Sequence, residues 1–437
     1  MNKTRLPVII YYHCYVRYFC LILLNILYFL NLRLYILQTI TRLYINCIDK
    51  MTLEFTKIKY YPLYLFFILT LLISFGSSRG LHLKIAPYFA FISLLIIIAT
   101  KQNFYKGVLK PLVIFVFLTT ISSINYFYFN RVNFTYLEYL SYSNSIYLAS
   151  FVLFSYINKS PKSIKIIKSL IIAYFLIGFY WYFKSASTLS EKSSVDQLLQ
   201  NNAFYYVLMP LPLIFLLKSR VAQTIALIIT FVICILSTKR SAFIVVSIIS
   251  LFFIYYNYIR GEKKLKSTLL LVVFLIALIN IIDFSLVFER LDFVSQRLEN
   301  IQEDGGSGRM EVIDRFFKQD YKELLKFPTI FLGKGFQGYN NDYPYLQSSH
   351  NDWIEIFYTL GIIGLLNLLY FFSLLFINLK ELYINKSPIF VAYLSAVIIF
   401  IFYSLIGGSF HFMFLSMMLF YFLGITEAMI RNKINEL

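Results

Sequence analysis

Two arginines and a histidine, set in an otherwise apolar chain, are the side chains best suited to chemistry. Arg240 stands in STKRSAF, Arg309 in GSGRMEV and His350 in SSHNDWIE, where Asn351 and Asp352 come directly after it. A guanidinium offers a planar fork of donors that fits phosphate oxygens. A neutral imidazole can take a proton from a hydroxyl near neutral pH. Asp352 or Glu355 could orient that imidazole or contact a substrate, and Asn351 or Asp352 could simply cap the next helix. Cys14, Cys20, Cys47 and Cys234 form no CxxC or Cys/His metal spacing, so the cysteines mark no metal site.

The elements that must position these residues are membrane helices. The 437 residues are 59% hydrophobic and only 14% charged, more apolar surface than a soluble chain of this length could cover. The apolar runs are continuous rather than alternating, which excludes a β-barrel and predicts an all-α polytopic membrane protein. About twelve spans are expected, at about 60–78, 83–100, 107–126, 136–157, 164–183, 201–217, 221–238, 241–259, 266–283, 352–378, 387–406 and 410–430. The chain then divides into an N-terminal segment 1–50, nine spans within 51–283, a polar loop 284–350 and three spans within 351–437. The net charge of +18 is first a membrane-anchoring signal rather than a nucleic-acid one.

Charge also sets the sidedness. Lys101, Lys106 and Lys110 follow the second span, Lys159 to Lys168 the fourth, Arg260 to Lys266 the eighth, and Arg431 and Lys433 the last. These loops face the cytoplasm under the positive-inside rule, so the loop at 284–350 faces outside. Lys239 and Arg240 then break the pattern as an external basic pair. Lys239 can snorkel to the interface, whereas Arg240 is a functional candidate. Asn201, Asn202 and Ala203 open the sixth span on that same side, and Pro210 and Pro212 interrupt it.

Within the external loop, residues 309–327 have helical periodicity. Met310, Ile313, Phe317, Tyr321 and Leu324 share one face, which predicts an amphipathic helix lying on the membrane or on the spans. Arg309 sits at its first turn, a poor place for a cation unless an anion lies between it and the backbone N–H groups. Gly333-Lys334-Gly335-Phe336-Gln337-Gly338 matches GxGxxG but has no βαβ context. Its glycines are expected to make turns that fold the loop back. Gly361 and Gly364 are expected to allow close helix packing.

These motifs, in this order and on one side, resemble the O-antigen ligase and O-antigen polymerase superfamily. SSHNDWIEIFYTLGIIGLL is similar to that family's histidine-asparagine helix start, GSGRMEV to its loop arginine, STKRSAF to its arginine-bearing span start and NNAF to its asparagine-alanine span start. Ser241 and Ala242 stand where the family usually has a small residue and glycine, a mild departure. The resemblance covers Asn201 to Leu366 by motif and Met51 to Leu437 by topology.

It implies a metal-independent, inverting glycosyltransferase at the external face of a bacterial plasma membrane, with no cofactor and no nucleic acid. The implied donor is a polyprenyl-diphosphate-linked oligosaccharide. Arg240 and Arg309 would hold its diphosphate, His350 would be the general base on the acceptor hydroxyl, and Asp352, Asn351 and Asn202 would bind or orient substrate. A repeat-unit polymerase extends another lipid-linked unit, with a chain-length regulator as a candidate partner. A ligase transfers the glycan to lipid A core or protein. The richness in Phe and Tyr and the departure from the fuller motifs favour the polymerase. A lipid-linked sugar transporter is a third reading; it predicts charges buried mid-span, and the span centres carry few.

Residues 1–50 read either as an extra membrane-associated helix or as a segment upstream of a true start at Met51. N-terminal sequencing of the purified protein separates these: Met1 or Asn2 at the mature terminus rules out the second.

Overall fold

Apolar runs become helices here because hydrocarbon offers no water to backbone N–H and C=O groups, and a helix pairs them within one segment. The computed structural model describes residues 107–130, 147–148, 151, 155, 161–190, 204–237, 240–259, 313–326, 329–335, 351–406, 413–434 and 437, all within one compact unit. The N-terminal segment 1–50 and the expected spans at 60–78, 83–100 and 266–283 lie outside these residues.

In chain order the elements are α1 (Leu109–Asn130), α2 (Pro161–Ser190), α3 (Tyr205–Leu208), α4 (Leu211–Ile214), α5 (Arg220–Ser237), α6 (Arg240–Ile254), α7 (Tyr321–Leu324), α8 (Thr329–Leu332), α9 (Asp352–Ile384), α10 (Phe390–Ile406) and α11 (Met413–Arg431). Ile164–Lys184, Arg220–Ser237 and Asp352–Ile384 are long and apolar enough to cross a membrane, and the fold is that of an all-α, multi-pass membrane protein. Phe117, Leu176 and Leu251 stay exposed, as side chains facing lipid would. Between the helices the core is aromatic. Phe371, Phe400 and Phe420 bring α9, α10 and α11 together with ring centroids 5.5–6.1 Å apart. Tyr174 of α2 stacks on Tyr421 of α11 at 5.4 Å.

The sixth span is broken, as its prolines predict. α3 ends at Leu208, Met209 and Pro210 intervene, and α4 carries Pro212. The carbonyls left over at its far end are taken up by Gln223, whose Nε2 donates to Phe215 O at 3.0 Å and Leu217 O at 2.6 Å. Gly178 of α2 lies against the break so closely that a Cβ there would stand 2.2 Å from the Tyr206 carbonyl oxygen.

The tenth span departs most from expectation. The sequence places one straight span over 352–378, but α9 bends at Gly361, whose φ of 66° and ψ of −162° no helix contains. Trp353 and Phe372 would lie roughly 28 Å apart along a straight helix, yet their rings stack at 5.5 Å. The first arm, 352–360, therefore turns back toward the second. The second arm, 362–384, is about 34 Å long and is by itself sufficient to span.

A bend in an apolar setting frees carbonyls, and two of those before Gly361 are satisfied from outside the helix. Lys334 N–H donates to Tyr358 O at 2.7 Å, and Ser122 Oγ of α1 donates to Thr359 O at 3.1 Å. Gly333 and Gly361 make this approach possible. A Cβ on Gly361 would lie 2.4 Å from the Phe331 carbonyl carbon, and one on Gly333 would lie 2.4 Å from that of Thr359. Gly333 also has a positive φ of 70°. The expected turn at Gly333-Lys334-Gly335 is thus present, and the expected role of Gly361 in close packing is joined by a backbone conformation nearly exclusive to glycine.

The amphipathic helix is present over its described part but shows a different face. Phe316–Asp320 forms a π-helical turn, which adds a residue and shifts the helical phase from that point on. Phe316 is consequently buried with Leu324, Ile354 and Tyr358, while Phe317, expected on the apolar face, is 61% exposed. The segment packs on the first arm of α9.

Replacing Gly361 by alanine forces a positive φ on an L side chain and drives a Cβ into backbone. Thermal unfolding in detergent should show a loss of at least ~2 kcal/mol. Gly333→Ala should cost a similar amount, and the pair less than the sum, since both disturb one contact.

Candidate functional site

The bend in α9 carries its first residues to the last turn of α10. Asn351 caps α9: its Oδ1 accepts from Trp353 N–H at 2.9 Å and Ile354 N–H at 3.2 Å. Its Nδ2 donates to Leu405 O at 3.2 Å. Trp353 Nε1–H donates to Ser404 Oγ, also at 3.2 Å. Tyr403, one residue earlier, is buried. Two successive residues of α10, Ser404 and Leu405, therefore hold the start of α9.

The same turn meets the two elements opened by the other sequence motifs. The rings of Tyr205 in α3 and Tyr403 are 5.0 Å apart. The Tyr205 hydroxyl shares a 3.0 Å hydrogen bond with Ser241 Oγ at the first turn of α6. A small, largely apolar cleft opens here, lined by Tyr205, Leu208, Ser241, Val245, Phe402 and Tyr403 among others.

Asp352 is fully buried and Glu355 is 2% exposed, both in the first turn of α9. Carboxylates are costly to bury, but this end of a helix is the one that stabilises them, because the positive end of the helix dipole lies there.

Of the residues singled out from sequence, Asn351 and Asp352 are thus placed directly. The capping role of Asn351 is observed, and Asp352 is enclosed within the protein. Arg240 is the first residue of α6 and adjoins Ser241; its side chain lies outside the described residues. His350, which immediately precedes Asn351, and Arg309 and Asn202 also lie outside them. Among the described residues no three His, Cys, Asp or Glu side chains gather as a group able to hold a metal. Sequence reasoning missed Tyr205, Tyr403 and Ser404. Tyr205 stands three residues after Asn202, a faint signal, but Tyr403 and Ser404 lie at the end of an ordinary apolar run.

Asn351→Ala removes the cap and the donor to Leu405. It should cost about 1–2 kcal/mol by thermal unfolding in detergent. Asn351→Ser, which keeps a capping oxygen, should lose less.

No curated protein matches this chain. Residues 225–369 match the family model described as O-Antigen ligase. That stretch runs from within α5 into the second arm of α9 and contains Arg240, Arg309, His350, Asn351 and Asp352, while Asn202 precedes it. This membrane protein therefore carries an O-antigen ligase-type domain between residues 225 and 369.

Proposed function

We propose that the protein is an O-antigen ligase-type glycosyltransferase, moving a glycan from a polyprenyl diphosphate to an acceptor hydroxyl at the external membrane face. One observation carries this reading: the ligase family match spans the two arginines and the histidine that the sequence singles out. The contacts from Ser241 through Tyr205 and Tyr403 to the start of α9 support it, since they bring two of the motif-bearing helix starts to one place. The match favours the ligase over the polymerase.

Aromatic content, one of the two features favouring a polymerase, has another explanation. Tyr147, Tyr174, Tyr393, Tyr421, Phe371, Phe400 and Phe420 are all buried between helices. They fill the core and say nothing about the acceptor.

In this reading Arg240 and Arg309 bind the diphosphate by charge-assisted hydrogen bonds that strengthen as the leaving group gains charge. His350 accepts the proton of the acceptor hydroxyl as its oxygen bonds to the anomeric carbon, and the bond from that carbon to the diphosphate oxygen breaks. Attack opposite the leaving group inverts the configuration. Asn351 fixes the start of α9 and so the backbone beside His350, and Asp352 lies next in the chain for orienting the base or the acceptor. Lipid A core or a protein is the acceptor.

The test is complementation of a deletion strain with wild type, His350→Ala, Arg309→Ala and Arg240→Ala, with surface glycan resolved on a gel and expression of each variant checked. A ligase predicts bare lipid A core with accumulated lipid-linked polymer in all the variants, each losing at least about a hundredfold in transfer. Core bearing a single repeat unit would restore the polymerase reading. Wild-type glycan in every variant would sink the site assignment.

A further inference from the structure

Tyr205 and Ser241 come from different spans, and neither bears a charge, yet their hydroxyls share a 3.0 Å hydrogen bond. The bond is part-buried and ties the first turn of α6 to α3, and removing either hydroxyl takes that partner from the other. Ser241 lies in the first turn of α6 directly after Arg240. Tyr205 in turn rests on Tyr403, whose side chain is 6% exposed. Two residues on, the Leu405 carbonyl receives Asn351 at the start of α9. One continuous set of contacts therefore joins the turn that carries Arg240 to the turn just after His350. Nothing in the transfer chemistry uses Tyr205 or Ser241 directly.

We infer that Tyr205 and Ser241 are a positioning pair that holds the first turn of α6, and with it Arg240, in fixed register with the start of α9, with Tyr403 as the platform beneath them. The inference rests on the proposed role of Arg240 in holding the donor diphosphate. It adds Tyr205 and Tyr403, which no sequence motif marks, and gives Ser241 of STKRSAF a role of its own. Anion-binding side chains act well only when held to a fraction of an ångström, so loosening the pair weakens donor binding and leaves the acceptor side untouched.

The test uses the full-length protein in nanodiscs, with a lipid-linked glycan donor, an acceptor, and inorganic pyrophosphate as a competing probe. Tyr205→Phe and Ser241→Ala should each raise the donor KM and the pyrophosphate inhibition constant about threefold to tenfold, the range expected for one net hydrogen bond. The acceptor KM should not move. Because both substitutions remove one bond, the double variant should be no worse than the weaker single. Ser241→Thr, which keeps the hydroxyl, should stay near wild type.

A merely structural role would lower the melting temperature and the yield of folded protein while leaving the donor KM unchanged, and that result overturns the inference. Multiplying effects in the double variant would overturn it as well. Arg240→Ala separates the two levels. If it raises the donor KM while the pair variants do not, the positioning inference alone fails. If it leaves the donor KM unchanged, the diphosphate role fails and the positioning inference goes with it. Should Tyr205→Phe fail to fold, Ser241→Ala, which removes a single oxygen atom, decides the matter.

Discussion

A helix cannot be bent sharply inside an apolar bundle unless the carbonyls it releases find donors, and this fold depends on how that demand is met at Gly361. The Tyr358 and Thr359 carbonyls are satisfied by the backbone of Lys334 and the hydroxyl of Ser122. The first donor comes from the loop that precedes α9 and the second from α1, so the bend fastens the loop and a distant span to one point. Gly333 and Gly361 face each other without Cβ atoms, and only that lets the two backbones approach. Lys334 adds a second tie, its Nζ donating to the Tyr358 hydroxyl at 3.0 Å.

What the bend delivers is position. It turns residues 352–360 back until Trp353 reaches Phe372 and Ser404, and Asn351 reaches Leu405. The last turn of α10 then serves as a common seat for α9 and α3, and through Tyr205 for α6. The candidate site is accordingly built at helix ends rather than in mid-span. Such a place has physical advantages. Helix starts offer a favourable dipole for Asp352 and Glu355, and the long apolar bodies of the spans need carry no charge.

The ligase match and the buried aromatics bear on one question from two sides. The match covers the stretch holding Arg240, Arg309 and His350 and is described as a ligase. Many of the tyrosines and phenylalanines that weigh toward a polymerase in the sequence are core side chains, their rings packed face-to-face or edge-on between α2, α9, α10 and α11. Aromatic abundance in this chain reflects how helices are packed, large planar groups filling the space between spans.

The sequence by itself determined the helices, because a continuous apolar run in a membrane has only one way to pair its backbone. The expected spans near 107–126, 164–183, 221–238 and 387–406 all correspond to observed helices, and Pro210 and Pro212 announced the break in the sixth. It also offered Asn351 or Asp352 as the cap of α9, since such a residue ahead of an apolar helix has a local partner in its own backbone, and the structure selects Asn351. Tertiary structure alone decided the rest. Gly361 in an apolar run reads as a packing residue; that it bends the helix depends on Gly333, 28 positions earlier, being free of a side chain to meet it. Phe317 looked buried by periodicity, but a π-helical turn gave its place to Phe316. Tyr205, Ser241 and Tyr403 come from three separate helices, and only the packing of those helices makes them neighbours. Local pairing is written along the chain, whereas these contacts join residues whose types are ordinary and whose distance along the chain is large.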